Sequence, residues 1–180
     1  MHIEEMKQLA TKIHEDNVKA GWWDNFPNKE DRYELAMVLI FSELFEAMEG
    51  DRKNLMDNHL PQYPMLIVEL ADAVIRLFDL IGAFELEEFI EFIDRENYEH
   101  DTEMSYPEYL YLIMRDCFSS DLDEVEKLGY LVWYLIPVSE SFASEKEIDF
   151  WEVVYTKLEY NKNRADHKRE NRAKENGKQF

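Results

Sequence analysis

LAMVLIFSELFEAMEGDRKNLMDNHLPQYPMLIVELADAVIRLFDLIGA, residues 35–83, decides the fold. Up to Met48 it is apolar on every side except at Ser42, Glu43 and Glu46. A helix that is apolar all round is a buried helix, and the pattern places one from about Asp31 to Glu49. GDRKNLMDNHLPQYP then reads as a connection punctuated by Gly50, Pro61 and Pro64. A further helix follows from Met65 to about Ile81 and stops near Gly82. Its polar residues are Glu69, Asp72, Arg76 and Asp79, at spacings of three, four and three, so all four share one stripe. Joined by a short connection, the two helices are expected to be antiparallel neighbours.

The flanking sequence extends the helical pattern. Ile3, Met6, Leu9, Ala10, Ile13 and Val18 recur near a 3.6 period, and Gly21 closes that helix. GWWDNFPNKED is a loop. Residues 84–147 are more acidic and contain helical fragments such as YPEYLYLIMRDCF and LDEVEKLGYLVWYLI, with turn signals near Pro107, Ser119 to Asp121, and Pro137. A last helix runs from about Ile148 into a basic tail, residues 166–180, where it is expected to fray. No strand alternation or βαβ pattern persists. The expectation is one all-α domain over residues 1–180.

The 180 residues carry 40 acidic and 20 basic groups, a net charge of −20. Residues 1–150 hold 35 acidic and 12 basic groups, whereas 151–180 hold 5 and 8. An acidic body repels a polyphosphate backbone and argues against duplex nucleic acid as a partner. The single cysteine, Cys117, excludes an intrachain disulfide and fits a reducing cytoplasm. It reads as a packed, inert thiol. MHIEEMKQ is not signal-like, and no apolar run reaches membrane-spanning length. A cytoplasmic protein without membrane association is expected.

Residues three apart on a helix lie side by side, so Glu43 projects with Glu46 and Glu69 with Asp72. Facing each other, the pairs bring four carboxylates into one cavity. Two like charges about 4 Å apart repel by roughly 4 kcal/mol at an effective dielectric of 20, so four must take up protons or recruit a cation. All-oxygen ligands select hard ions, Mg²⁺ with Mn²⁺ as substitute. The chemistry implied is metal-assisted phosphoryl transfer to water. Each pair also fits the narrow solvent face of a surface helix, and Arg76 offers a partner to Asp72 or Asp79. A di-iron carboxylate centre needs Glu-x-x-His. The residues three before His14, His59, His100 and His167 are Thr11, Met56, Asn97 and Arg164, which removes it in its usual form.

With GWWD, SELFEAMEGDRKNLMDNHLP, VELADAVIRLFDLIGA and YNKNRADHKRENR in this order, the chain resembles the MazG-like, all-α nucleoside triphosphate pyrophosphohydrolases. The resemblance covers about residues 20–83 and 151–180. It implies a helical core that binds Mg²⁺ and cleaves a nucleoside triphosphate between its α and β phosphates, releasing the monophosphate and pyrophosphate. It also implies a homodimer or dimer of dimers, with Glu43, Glu46, Glu69 and Asp72 as metal ligands and catalytic residues. Many members carry two glutamates where this chain has Ser42 and Glu43. Residues 84–147 have no place in the compact pattern and read as a helical insertion. The alternative is a catalytically inactive protein of the same fold whose acidic insertion binds a basic partner.

Lys157, Asn161 and Arg164 are candidate substrate ligands: the cations oppose triphosphate charge, and the amide bonds phosphate or base. Lys162 points elsewhere on the helix. Favourable placement of cations near a helix C-terminus explains these residues equally well. Trp22 is a candidate stacking surface for a base, although one of two adjacent tryptophans more often packs in the core. Asp57 and His59 lie in the loop between the two motif helices; an approach to the metal site is open to them, but a loop role is the expectation.

Overall fold

A computed structural model describes residues 1–26, 28, 30–93, 104–119 and 121–172, with the side chains at 92, 166 and 172 excepted. These residues form helices α1 (Ile3–Lys19), α2 (Glu30–Lys53), α3 (Met65–Phe84), α4 (Tyr106–Cys117), α5 (Glu124–Glu145), α6 (Phe150–Asn163) and α7 (Arg169–Arg172). Two 3₁₀ segments, Glu87–Phe92 and Ala165–His167, join them. The fold is all-α, and no strand occurs among the described residues. No helix there is long and apolar enough to cross a membrane.

α3 is the axis of the molecule. Sixteen of its 20 residues are buried, Glu69 and Asp79 of the polar stripe among them, and α1, α2, α5 and α6 all pack on it. α2 runs antiparallel to α3: as its contacts move back from Gly50 through Glu43 to Tyr33, their partners on α3 advance from Met65 through Arg76 to Phe84. The connection is a compact turn. Asp57 accepts from the amides of His59 at 2.9 Å and Leu60 at 2.6 Å, and Met56 bridges Pro64. This confirms the loop role of Asp57.

Gly21 follows the end of α1 as expected, but the other two glycines read as breaks, Gly50 and Gly82, lie inside helices. α2 continues past Gly50 to Lys53, and α3 continues past Gly82 to Phe84. What they provide is close approach. A Cβ on Gly50 would lie 2.8 Å from Met65 Cβ, and one on Gly82 would lie 2.7 Å from His14 Cβ and 2.9 Å from the Ala10 carbonyl oxygen. A Gly82→Val substitution must therefore push α1 off α3, at an expected cost of about 1–3 kcal/mol. Urea denaturation would show this as a lower midpoint, and an unchanged midpoint would contradict the packing.

The acidic region supplies α4 and α5. Tyr106, buried at the start of α4, donates its hydroxyl to the Leu44 carbonyl of α2 at 2.9 Å, and Tyr33 of α2 donates to the Glu124 carbonyl at 3.0 Å. α5 starts on Asp123, which accepts from the Glu126 amide at 2.8 Å. The expected turn at Pro137 is absent, because α5 passes through it. Among residues nearby, the Ser139 hydroxyl bonds the Leu135 carbonyl at 2.7 Å. Cys117 is buried, and burial pushes its thiol up to about 12, consistent with an inert group.

α6 begins at Phe150, two residues later than expected, because Asp149 caps it by accepting from the Trp151 and Glu152 amides at 2.9 and 3.4 Å. The following chain does not simply fray. The 3₁₀ turn and α7 carry it back to the loop after α1, where Arg169 pairs with Asp24. Positions 173–180 of the expected tail lie outside the described residues.

Candidate metal centre

Three of the four expected carboxylates meet. Oxygens of Glu43, Glu69 and Asp72 lie within 4.8 Å of one another. The helices explain this: Glu43 comes from α2, Glu69 and Asp72 from one face of α3, and the antiparallel register sets them opposite. Glu43 and Glu69 are buried, at 7% and 6% exposure, and Asp72 is half-buried. Glu46 differs. It lies on the exposed side of α2, outside the close group, yet lines the same cleft.

The cluster is already electrically balanced by its neighbours. Arg76 Nε donates to Glu43 Oε1 at 2.7 Å, so the arginine's partner is across the helix pair and not Asp72 or Asp79 on its own helix. Lys157 Nζ lies 2.9 Å from Asp72 Oδ2, and Asn161 Nδ2 donates to Asp72 Oδ1 at 3.1 Å. The α6 residues expected on triphosphate thus hold Asp72 from one helix face. Lys157 is 2% exposed. Burial alone would lower its pKa, but Asp72, Glu69 and Asp57 outweigh it and raise it. Arg164 caps the end of α6 in extended conformation, lies near Tyr160, and lines the cleft. Lys162, expected to point elsewhere, lines it too.

Protons complete the balance. Burial, reinforced by Asp72, Glu43 and Glu46 and opposed by Lys157, pushes Glu69 up to about 8. Burial also raises Glu43, with Arg76 acting against it. Near neutral pH, Arg76 and Lys157 therefore face Glu43 and Asp72 while Glu69 keeps its proton.

The donor set fits a hard cation. Oxygens bound to one Mg²⁺ at about 2.0–2.1 Å stand roughly 2.9–4.2 Å apart, so a small closure of a 4.8 Å cluster would suffice. An ion would take the place of the Glu69 proton. The consequence for pH is definite. Glu69 ionises near 4.5 when unfolded and at about 8 when folded. The folded chain holds the extra proton between those values, so metal-free stability falls as pH rises through that window, by at most about 1.4 kcal/mol per pH unit. Mg²⁺ bound at the cluster would favour the ionised form. Its gain in melting temperature is expected to be larger at about pH 9 than at about pH 6, and thermal melts giving the reverse order would contradict the proton assignment.

The carboxylates sit in a cleft of about 1670 Å³ whose lining also includes Trp22, Arg32, Lys162, Arg164, Lys168 and Arg169. The lining mixes signs: besides these cations it includes Glu5, Asp16, Glu159 and Glu170. Trp22 is half-buried and meets the His167 ring edge-on at 5.2 Å. Its neighbour Trp23 is the packed one, donating Nε1 to Asp79 at 3.1 Å with Arg32 over its ring at 4.2 Å. His59 stacks on Tyr160 at 5.1 Å and also lines the cleft.

A second polar cluster centres on Asp79, seven residues beyond Asp72 on the same stripe. Asp79 bonds His14 Nδ1 at 2.9 Å and the Trp23 indole, while Arg32 pairs with it at 4.0 Å and donates to the Trp22 carbonyl. The sequence signal was Asp79 itself, the last acid on the polar stripe of a largely apolar helix. Its partners lie on three other segments and share no spacing with it.

Comparison of the chain with family models, curated proteins and solved structures finds no match.

Proposed function

We propose that the chain is an Mg²⁺-dependent nucleoside triphosphate pyrophosphohydrolase of the MazG-like kind, cleaving between the α and β phosphates. The observation that carries this is the convergence of Glu43, Glu69 and Asp72 in a cleft whose lining also offers Lys162 and Arg164. That pairing suits a metal-bound polyphosphate, in which negative charge exceeds what the ion neutralises. A volume of about 1670 Å³ exceeds the roughly 300–1,000 Å³ of most small-ligand sites, which suits a ligand as large as a nucleotide.

Glu43, Glu69 and Asp72 would hold the ion, which would neutralise phosphate charge and polarise the phosphorus under attack. Arg76 orients Glu43, and Lys157 and Asn161 orient Asp72. Arg164 and Lys162 oppose the remaining phosphate charge. Trp22 offers a surface to the base. Glu46, exposed in the cleft and in no ion pair among the described residues, would take the proton of the attacking water. Standard and modified deoxynucleoside triphosphates incubated with Mg²⁺ should yield pyrophosphate from at least one. Release of orthophosphate alone, or no product from any, would overturn the proposal.

One observation favours a second possibility, a non-catalytic binding protein. Arg76 and Lys157 already neutralise Glu43 and Asp72, so the cluster can be a polar core without an ion. The working surface would then be the acidic α4–α5 region, which exposes Tyr111, Phe118 and Trp133 and would suit a basic partner. A cation-independent fold with a silent substrate panel would support it.

A further inference from the structure

The loop after α1 and the segment after α6 meet in register. Gly21 has φ +81, a conformation that disfavours any side chain. A Cβ there would also lie 2.8 Å from Asp24 Oδ2 and 3.1 Å from Arg169 Nε. Arg169 pairs with Asp24 across this gap. Next to Gly21, Trp22 meets His167 edge to face at 5.2 Å, and its carbonyl is held by Arg32. Trp22, His167 and Arg169 all line the cleft that contains the carboxylates.

The Asp24 and Arg169 side chains are 44% and 66% exposed. Such a pair contributes only about 0–1 kcal/mol to global stability. Its consequence is local: it fixes which part of the post-α6 segment stands beside Trp22. Gly21 serves the same contact, because only a residue without a side chain lets Arg169 come this close.

We infer that Asp24 and Arg169 are positioning residues: they clasp the loop after α1 to the segment after α6 and so set the Trp22–His167 wall against which the ring of a bound nucleotide rests. The nucleotide rests on the proposed function; the clasp does not. Neither residue needs to touch phosphate. The ring-dependent part of binding is therefore sensitive to the clasp, and the phosphate-dependent part is not.

The test uses the full chain and two readouts. The first is hydrogen exchange by mass spectrometry. Asp24→Ala should speed exchange in residues 165–172, and Arg169→Ala in residues 20–26, each roughly two- to fivefold. The swap D24R with R169D should restore protection. Gly21→Val, which adds strain at a left-handed position, should act on both segments by about tenfold. The second readout is binding, with Mg²⁺, of α,β-imido analogues of the four standard deoxynucleoside triphosphates and of inorganic tripolyphosphate. Arg169→Ala should weaken the best nucleotide about threefold and leave tripolyphosphate unchanged. Unaltered exchange in both single variants overturns the clasp. An equal loss for tripolyphosphate overturns the positioning role, since Arg169 would then be a phosphate ligand. Wild-type binding of tripolyphosphate but of no nucleotide overturns the ring wall. Binding of neither ligand instead overturns the hydrolase proposal and the ring wall with it, while the exchange data still decide the clasp.

Discussion

Asp72→Asn is expected to reduce Mg²⁺-dependent pyrophosphate release by roughly a hundredfold or more with the helical circular dichroism unchanged. The reason lies in the position of Asp72. It is the carboxylate shared by the metal cluster and by α6, through Lys157 at 2.9 Å and Asn161 at 3.1 Å. Asparagine keeps the shape but offers one neutral acceptor, so an ion loses one of its three anionic ligands. The fold survives because Lys157 retains an acid. Glu69, held protonated largely by burial, can ionise beside the lysine. Retention of wild-type turnover would remove Asp72 from the site, and loss of helix would mean that the residue is structural first.

Lys157→Met is expected to have the largest effect on stability. Lys157 is 2% exposed and its ammonium faces Asp72. Removing one partner of a buried pair costs about 3–5 kcal/mol because the remaining charge is left without compensation. For a chain of this size the melting temperature should fall by about 10 °C. The decisive part is the rescue. If the cluster accepts a divalent cation, Mg²⁺ replaces the missing positive charge and restores much of the loss, more than it stabilises the wild type. A variant that melts like the wild type, or that Mg²⁺ does not help, would contradict the electrostatic balance described for the cluster.

The α2–α3 pair was legible because both segments carry long apolar runs; only α3 is buried on nearly every side, whereas α2, read as buried all round, leaves Val38 and Phe45 64% and 43% exposed. The carboxylate group followed from spacing alone. What spacing could not give was partners across helices. Arg76 shares a stripe with Asp72 and Asp79, yet its side chain reaches Glu43, because the antiparallel register brings α2 opposite. Lys157 and Asn161 were placed on one face of the last helix, but the object of that face depends on how α6 docks on α3. Glu46 was paired with Glu43 by its three-residue spacing, yet it falls just past the edge of the buried stripe. Gly50 and Gly82 misled for a shared reason. A glycine is a stop by local propensity, but at a tight helix crossing its missing side chain is what packing requires. Pro137 shows the converse, a local breaker carried through by a helix packed on α3 and α6. The return of residues 165–172 to the loop after α1 was hidden because polar, basic sequence reads as solvated tail until Asp24 is known to stand opposite.

The most direct test of the central claim is a crystal grown with Mn²⁺ and measured at a wavelength where manganese scatters anomalously. The expected result is an anomalous peak bonded by Glu43, Glu69 and Asp72, with Glu69 turned toward the ion. A map without a peak among these three, with Arg76 still on Glu43 and Lys157 still on Asp72, would contradict it.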